Sequence, residues 1–198
     1  MAKRLFDILA SLTGLALLLL PGLLLALWIK LDSAGPVFFR QERVGRFGRG
    51  FRIHKFRTMR VDAERIGGPL TVGADARVTR VGRLLRAHRL DELPQLIDVL
   101  RGDMSLVGPR PEVPRYVALY PAALREQVLA VRPGITDPAS LAFRGEATQL
   151  AAAADPEREY VEVILPRKLA LAADYAARAN LWTDLGVVAR SLAVLLTR

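Results

Sequence analysis

Two adjacent carboxylates, Asp91 and Glu92, are the residues with which chemistry in this sequence could begin. Apolar residues recur at helical spacing directly after them, and this stretch ends at Arg101 and Gly102. The pattern predicts a helix with Asp91 as its N-cap and Pro94 in its first turn, where proline is tolerated. By itself the pattern favours the simpler interpretation, in which both acids cap a helix and complement its dipole.

The same position also suits catalysis. A helix N-terminus favours the ionised form of a carboxylate, so it would keep Asp91 ready to act as a nucleophile. With Glu92 beside it, the pair could hold Mg²⁺, a hard cation that prefers oxygen ligands and keeps substrate phosphates in its shell. Residues 108–111, with the sequence GPRP, follow in a strongly basic chain. Two carboxylates near such a segment are what phosphoryl transfer requires.

The composition points to anionic partners. The chain has 198 residues and a net charge of +9, and because only four are lysines, 25 of its 29 basic residues are arginine. Guanidinium binds phosphate bidentately, but charge alone does not choose among phosphates, nucleic acid and acidic lipid headgroups. The absence of cysteine excludes disulfides and cysteine-based zinc sites, and two histidines argue against a multi-histidine metal site. The sequence has no aromatic-basic ribonucleoprotein motif, so no nucleic-acid partner is expected.

The N-terminal region contains a long apolar block. Residues 5–29 are apolar apart from three positions, and this length could span a bilayer core of about 30 Å as one helix. Pro21 lies inside the block and should kink or break the helix. Lys3 and Arg4 precede the block and Lys30 follows it, which favours the cytoplasmic side for both ends. Membrane attachment is expected, either as a re-entrant helix that returns to the same face or as a kinked single-pass helix.

The pattern after this block indicates an α+β fold that is rich in helix and contains a small β-hairpin. Residues 37–44 and 51–56 are predicted strands. Residues 45–50, which join them, contain three glycines and form either a simple hairpin turn or a cradle for phosphate. A loop is predicted over 63–76.

Three further helices are predicted. Residues 79–87 form the first, and arginines recur there at every third position from 77 to 89. Because three residues fall short of a full helical turn, these arginines sweep around the axis, and most should form a solvated basic surface. Residues 170–179 and 181–196 are apolar-rich and predict either core helices or helices on a membrane surface. In the second case the interfacial anchors would be Trp182, Arg190 and Arg198.

Six stretches of the sequence, in order along the chain, resemble the bacterial sugar transferase family. These are the monotopic phosphoglycosyl transferases that act on polyprenol phosphate. The six stretches are residues 35–45, 55–59, 79–83, 90–96, 103–111 and 132–136. The resemblance extends over roughly residues 1 to 185, and the order of the six stretches makes it specific. The chain resembles the minimal catalytic form of this family.

The resemblance implies a ping-pong reaction. Asp91 would attack the phosphate next to the sugar of a UDP-sugar, release UMP and hold the sugar phosphate as an acyl phosphate. Polyprenol (undecaprenyl) phosphate would then accept the sugar phosphate, as the first membrane step of surface glycan assembly. Glu92, together with Asp91, would bind Mg²⁺. The basic residues that the resemblance assigns to substrate phosphates are Lys55, Arg57, Arg86, Arg110 and Arg144.

The resemblance also implies a location. It favours a re-entrant helix broken at Pro21 over residues 1–31, followed by a catalytic domain over 32–198 with membrane-associated amphipathic helices. The catalytic domain would lie on the cytoplasmic face of the bacterial inner membrane, in contact with membrane lipids. A homodimer is one option for its oligomeric state.

The sequence departs from the family pattern at two places, and it is also compatible with two other functions. Leu20 stands before Pro21 where many members have serine, and residues 137–140 replace a common glycine-aromatic pattern, so no sugar identity is carried over. The rivals are a membrane-anchored basic protein that binds nucleic acid or acidic lipid, and a scaffold in which the two acids only cap a helix.

Overall fold

A computed structural model describes residues 1–68 and 70–196 of the chain. The helices are α1 (Ala2–Leu17), α2 (Leu19–Asp32), α3 (Ala63–Ile66), α4 (Arg80–Ala87), α5 (Gln95–Arg101), α6 (Pro114–Val117), α7 (Ala122–Leu129), α8 (Pro138–Ala142), α9 (Glu146–Ala152), α10 (Pro156–Glu159), α11 (Leu165–Arg178) and α12 (Leu181–Leu196). The strands are β1 (Phe38–Val44), β2 (Gly50–Phe56), β3 (Ser105–Val107) and β4 (Gly134–Thr136). The predicted α+β class, rich in helix and with little sheet, is therefore confirmed.

The predicted hairpin is present. Strands β1 and β2 pair antiparallel, in a register that runs from Phe38 opposite Phe56 to Val44 opposite Gly50. The turn between them is a short 3₁₀ segment in which Phe47 and Gly48 both have positive φ. This is the geometry of a tight hairpin connection, so of the two options for the glycine-rich residues 45–50 the turn is the one observed.

A second, smaller sheet brings two of the family-like stretches together. Strands β3 and β4 pair in parallel, with Ser105 opposite Gly134 and Val107 opposite Thr136. The backbones then approach so closely that a Cβ on Gly134 would lie 2.5 Å from the carbonyl oxygen of Gly108. Only glycine fits at this position. The pairing fixes the chain at the point where residues 108–111 leave β3.

The N-terminal apolar block forms a bent pair of helices. Helices α1 and α2 meet at an angle of 62°. Among the described residues, no single helix is long and apolar enough to cross a membrane, whereas this bent pair qualifies together by length and composition. The bend lies at Leu18 and not at the predicted Pro21. A proline ring clashes with the carbonyl four residues earlier, here that of Leu17, so the break falls one turn before the proline.

Each helix of this N-terminal pair packs against one helix of the region after residue 32. Helix α1 lies on α5, where Gly14 is close enough to Leu96 that a Cβ would be 3.0 Å from the leucine side chain. Helix α2 lies on α4, where Ile29 shares a buried cluster with Val81 and Leu85. The predicted regions 1–31 and 32–198 are thus in direct contact, although their division into two domains stays a prediction.

Polar residues of α1 are used in this packing. The carboxylate of Asp7 is buried and accepts hydrogen bonds from Ser105 Oγ (2.8 Å) and the backbone N–H of Leu106 (3.1 Å). Arg4 donates to the carbonyls of Val99 (2.6 Å) and Leu100 (3.1 Å), at the end of α5. Arg4, which flanks the apolar block as a predicted topology signal, therefore also caps the end of α5.

The C-terminal half is helical. Its largest buried cluster includes Tyr116, Tyr160 and Leu169, and a π-helical turn over Tyr160–Ile164 leads into α11. Helix α11 begins at Leu165, five residues before the predicted start at 170, and α12 agrees with the predicted 181–196.

The surface of α12 is mixed. Asp184 and Val187 are buried, whereas Trp182 is 80% exposed. Arg198, one of the proposed interfacial anchors, lies outside the described residues.

The predicted loop over 63–76 begins with the short helix α3, and Pro69 within it is likewise outside the described residues.

Candidate active site

The Asp91–Glu92 pair lies in a tight turn between α4 and α5. Leu90–Glu92 is one turn of 3₁₀ helix, entered through Arg89 in the left-handed region (φ 54°). Helix α5 starts only at Gln95, with Pro94 in the N-cap position and no side-chain cap. The prediction that Asp91 is an N-cap is therefore wrong, because the 3₁₀ turn separates its carboxylate from the first amides of α5.

Glu92 is held by cations on two sides. Lys55 Nζ donates to Glu92 Oε1 (2.8 Å), and the guanidinium of Arg110 contacts both carboxylate oxygens, with Nη1 3.4 Å from Oε2. Arg89 adds a longer ion pair at 3.9 Å. Burial would raise the pKa of Glu92, but the charges of Arg110 and Lys55 outweigh it and hold that pKa well below its ordinary value. Glu92 is therefore ionised.

Asp91 has a different environment. Asp91 is 8% exposed, and it lines the cavity described in the next paragraph. In the part of the chain that the structure describes, no donor is hydrogen-bonded to the Asp91 carboxylate and no cation lies within ion-pair distance. Burial raises the pKa of Asp91, and the nearby Lys55 opposes that shift. A desolvated carboxylate without donors keeps its lone pairs available, which suits a nucleophile.

The cavity beside this pair has a volume of about 500 Å³. This volume is within the range of small-molecule and cofactor sites. All seven site residues expected from the sequence line it, and they are Lys55, Arg57, Arg86, Asp91, Glu92, Arg110 and Arg144. The cavity therefore combines two carboxylates with several guanidinium groups, which fits a ligand that carries phosphates.

Lys55, Arg86 and Arg110 are held in place from different elements. Lys55 comes from β2, Arg110 from the segment after β3, and both reach Glu92. Arg86 comes from α4, and its Nε and Nη1 donate to Thr58 Oγ1 (2.9 Å) and Thr71 Oγ1 (3.1 Å). Burial lowers the pKa of Lys55 while Glu92 supports its charged form.

Two predicted phosphate ligands are placed differently. Arg144 follows α8 on the cavity wall and is exposed. Arg57 is 4% exposed, and its guanidinium donates to backbone carbonyls near the end of α2. The structure thus brings Lys55, Arg86 and Arg110 together around the carboxylates, whereas the two terminal nitrogens of Arg57 donate to the protein's own backbone.

Several cavity residues were not predicted from the sequence. Arg43 donates to the carbonyl of Pro111 (3.0 Å) and pairs with Glu112 at 3.7 Å. Glu112 also accepts a hydrogen bond from Tyr160 Oη (2.7 Å). Arg43 stands on β1 within the family-like stretch 35–45, but nothing in the linear pattern connects it with Glu112.

The unusual residues 137–140 have a structural role. Asp137 N-caps α8 by accepting from the N–H of Ser140 (2.7 Å), and it also accepts from the N–H of Arg110 (3.3 Å). Pro138 occupies the first helical position, where its missing N–H costs nothing. Ser140 lines the cavity, and its buried hydroxyl has no hydrogen-bond partner among the described residues.

Asp91 and Glu92 are the candidate metal ligands of the cavity. No cluster of three or more histidine, cysteine, aspartate or glutamate side chains suited to a metal occurs in the described part of the chain. Mg²⁺ is commonly bound through one or two carboxylates together with substrate phosphates and water. The adjacent Asp91 and Glu92 carboxylates fit that mode, with Asp91 the one that no cation neutralises directly.

Comparisons with known proteins identify the family of this chain. The family model described as "Bacterial sugar transferase" matches residues 1–198. The chain is 43% identical to the UDP-glucose:undecaprenyl-phosphate glucose-1-phosphate transferase of Caulobacter vibrioides, over 98% of this chain and 70% of that protein. It is 39% identical to the UDP-N-acetylgalactosamine-undecaprenyl-phosphate N-acetylgalactosaminephosphotransferase of Aeromonas hydrophila, over 98% of this chain and 44% of that protein.

A third relative extends the pattern. The chain is 42% identical to the undecaprenyl-phosphate glucose phosphotransferase of Komagataeibacter xylinus, over 94% of this chain and 34% of that protein. The chain therefore spans less than half the length of the second and third of these relatives. The resemblance found in the six sequence stretches is confirmed, and the chain belongs to the bacterial sugar transferase family.

Proposed function

We propose that this protein transfers a sugar 1-phosphate from a UDP-sugar to undecaprenyl phosphate and releases UMP. The observation that carries the proposal is the Asp91 carboxylate, which is desolvated and accepts no hydrogen bond from the described residues, in a cavity lined by cations. The names of three relatives, which all describe sugar-phosphate transfer to undecaprenyl phosphate, support the same acceptor. Neither rival function needs a nucleophile inside a cavity of about 500 Å³.

The reaction would proceed in two displacements. In the first, an oxygen of Asp91 attacks the phosphorus bonded to the sugar, the bond from that phosphorus to the bridging oxygen breaks, and UMP leaves with both bonding electrons. The product is an aspartyl phosphate that carries the sugar. In the second, a phosphate oxygen of the polyprenol attacks the same phosphorus, a diphosphate forms, and the Asp91 carboxylate is regenerated.

Basic side chains would stabilise the charge that develops on phosphate. Lys55 and Arg110 are held by Glu92, and Arg86 is oriented by two threonine hydroxyls. Preorganised cations of this kind lower the barrier because they need no rearrangement as the charge builds up. Glu92 would keep Lys55 and Arg110 in position before the donor binds.

Mg²⁺ is the cofactor that we propose. Asp91 and Glu92 would provide its protein ligands, with the donor diphosphate supplying others. When bound, the ion would neutralise charge on the diphosphate and on the leaving UMP. Chelation by EDTA should therefore stop UMP release, and added Mg²⁺ should restore it.

We also propose a membrane location for the N-terminal helix pair. Large apolar residues are exposed along both helices, and they are Leu5, Leu9, Leu12, Leu17, Leu19, Leu20, Leu23, Leu24, Leu27, Trp28 and Leu31. A contiguous exposed apolar surface of this kind marks a membrane or protein contact. Basic residues on both flanks favour a re-entrant arrangement, with the catalytic domain on the cytoplasmic face of the inner membrane.

The test is UMP release from a panel of UDP-sugars by purified protein with undecaprenyl phosphate and Mg²⁺. At least one donor should release UMP, and Asp91→Asn should lower the rate by about 10³-fold or more, since the nucleophile is removed. Asp103→Asn is the matched control, because Asp103 is exposed and does not line the cavity. Wild-type turnover by Asp91→Asn, or no release with any donor, would contradict the proposal.

A further inference from the structure

Arg57 makes a compact set of contacts at the end of α2. Its Nη2 donates to the carbonyls of Ser33 (2.6 Å) and Ile29 (3.3 Å), and its Nη1 donates to that of Ala34. The carbonyls of Ser33 and Ala34 lie just beyond the helix, and that of Ile29 also accepts from the N–H of Ser33 (3.3 Å). A guanidinium placed at this helix end complements the helix dipole. The Nε of Arg57 is buried and has no partner among the described residues, so it is not presented to an incoming phosphate either.

Gly35 packs directly against the guanidinium of Arg57. Its φ is +125°, a conformation that L side chains rarely adopt. A Cβ at this position would overlap Arg57 Nη1 and lie 3.2 Å from Arg57 Cζ. It would also lie 2.5 Å from the side chain of Val61. Any residue other than glycine would therefore displace Arg57 from the carbonyls that it binds.

The backbone on either side of Arg57 leads directly to the active site. Two residues earlier, Lys55 pairs with Glu92 at 2.8 Å. One residue later, Thr58 accepts a hydrogen bond from Arg86 at its hydroxyl and another from the N–H of Thr79 at its carbonyl (3.0 Å). Residues 55–58 therefore connect α2, α4 and two of the cavity's cations.

We infer that Arg57 is a positioning residue, which fastens the end of α2 to segment 55–58 and so places Lys55 and Arg86, and that it does not bind a donor phosphate. The link to catalysis rests on the proposed function, because its readout is UMP release. The fastening itself is a structural statement and has a separate readout.

The experiment compares three variants and one control. Arg57→Gln removes the guanidinium, Gly35→Ala displaces it without changing its charge, and the double variant combines both changes. Gly48→Ala is the control, since Gly48 also has positive φ (+77°) but a Cβ there would meet nothing within 4 Å. Steady-state UMP release gives kcat and KM for the UDP-sugar, and hydrogen exchange reports on residues 29–36.

The positioning role predicts a common phenotype for the first three variants. Arg57→Gln and Gly35→Ala should each lower kcat by about 10- to 100-fold with KM little changed, as expected when catalytic groups are displaced by about 1 Å. The double variant should be no slower than the slower single variant, because both changes remove the same contact. Exchange over 29–36 should be faster in all three and unchanged in Gly48→Ala, while exchange in α11 should match the wild type and show that the fold is intact.

Two outcomes would overturn the inference. One is Arg57→Gln with a raised KM, a preserved kcat and unchanged exchange over 29–36, which would make Arg57 a phosphate ligand. The other is Gly35→Ala that behaves like Gly48→Ala. If the wild type releases no UMP from any donor, the proposed function fails, and the exchange data alone still decide whether Arg57 fastens α2.

Discussion

Asp91 and Glu92 are neighbours with opposite pKa shifts. Both are buried, yet Glu92 is paired with Lys55 and Arg110, whereas Asp91 is affected mainly by the loss of water. The sequence shows two acids and cannot show this asymmetry, since the cations come from positions 37 residues before and 18 residues after Glu92. The asymmetry distinguishes an ionised carboxylate held by two cations from a desolvated carboxylate, which is the one that we propose as the nucleophile.

The raised pKa of Asp91 predicts that this residue destabilises the fold. Because burial favours its neutral form, the ionised form costs the folded state free energy above the raised pKa, and the cost disappears below about pH 3.8, the ordinary value. Asp91→Asn should therefore raise stability at pH 7 by about 1 kcal/mol while it abolishes turnover. Thermal unfolding in detergent measures this effect, with Asp103→Asn as the control. A lower unfolding temperature for Asp91→Asn would contradict it.

The pH dependence of the first displacement should report on the same pair. Asp91 must be ionised to attack, so kcat/KM for the UDP-sugar should fall as the pH decreases through a pKa above 3.8. The charge of Glu92 contributes to that raised pKa. In Glu92→Gln, the acid limb of the residual activity should therefore move to lower pH. Movement to higher pH would show that Glu92 does not act on Asp91 in this way.

At the scale of elements, the N-terminal helix pair supports the catalytic turn. Helix α2 packs on α4 and helix α1 packs on α5, and the Asp91–Glu92 turn connects α4 to α5. The angle between α1 and α2 is therefore linked to the angle at which the turn presents its carboxylates. Such packing makes the apolar block part of the scaffold that holds this turn.

Arg4 offers a direct test of this support. Its guanidinium caps the end of α5, so Arg4→Gln should lower stability by about 1–2 kcal/mol. For a chain of this size that corresponds to roughly 3–6 °C in the unfolding temperature. Arg101→Gln is the control, since Arg101 is an exposed residue in the last turn of the same helix. Equal losses for the two variants would contradict a specific role for Arg4.

The elements differ in how well the sequence predicted them. The hairpin and α4 were correct to within one residue because the glycine-rich residues 45–50 separate two short segments, and because Val81, Leu84 and Leu85 recur at helical spacing. The start of α5 was misplaced because an N-cap and a 3₁₀ turn share the same residue preferences. Strands β3 and β4 were not predicted, since three residues are too few to show a period and their pairing spans residues 105–136.

The whole molecule brings distant motifs to one cavity. Four of the six stretches line one cavity, because the β1–β2 hairpin, the Asp91–Glu92 turn and the segment after β3 converge there, together with Arg86 of α4. The resemblance identified seven residues that line the cavity, but it did not show their contacts. Arg57 binds carbonyls at the end of α2, and Glu92 pairs with two cations. The sequence could not provide these contacts, because each depends on packing between elements far apart in the chain.

In the proposed reaction, Asp91 carries the sugar phosphate between the two displacements. The most direct measurement is intact-protein mass spectrometry after mixing the enzyme with Mg²⁺ and an active UDP-sugar in the absence of undecaprenyl phosphate. The wild type should gain the mass of one sugar phosphate and release one equivalent of UMP, Asp91→Asn should show neither, and added undecaprenyl phosphate should remove the adduct. UMP release that requires undecaprenyl phosphate and leaves no adduct would contradict the account, because the transfer would then be direct.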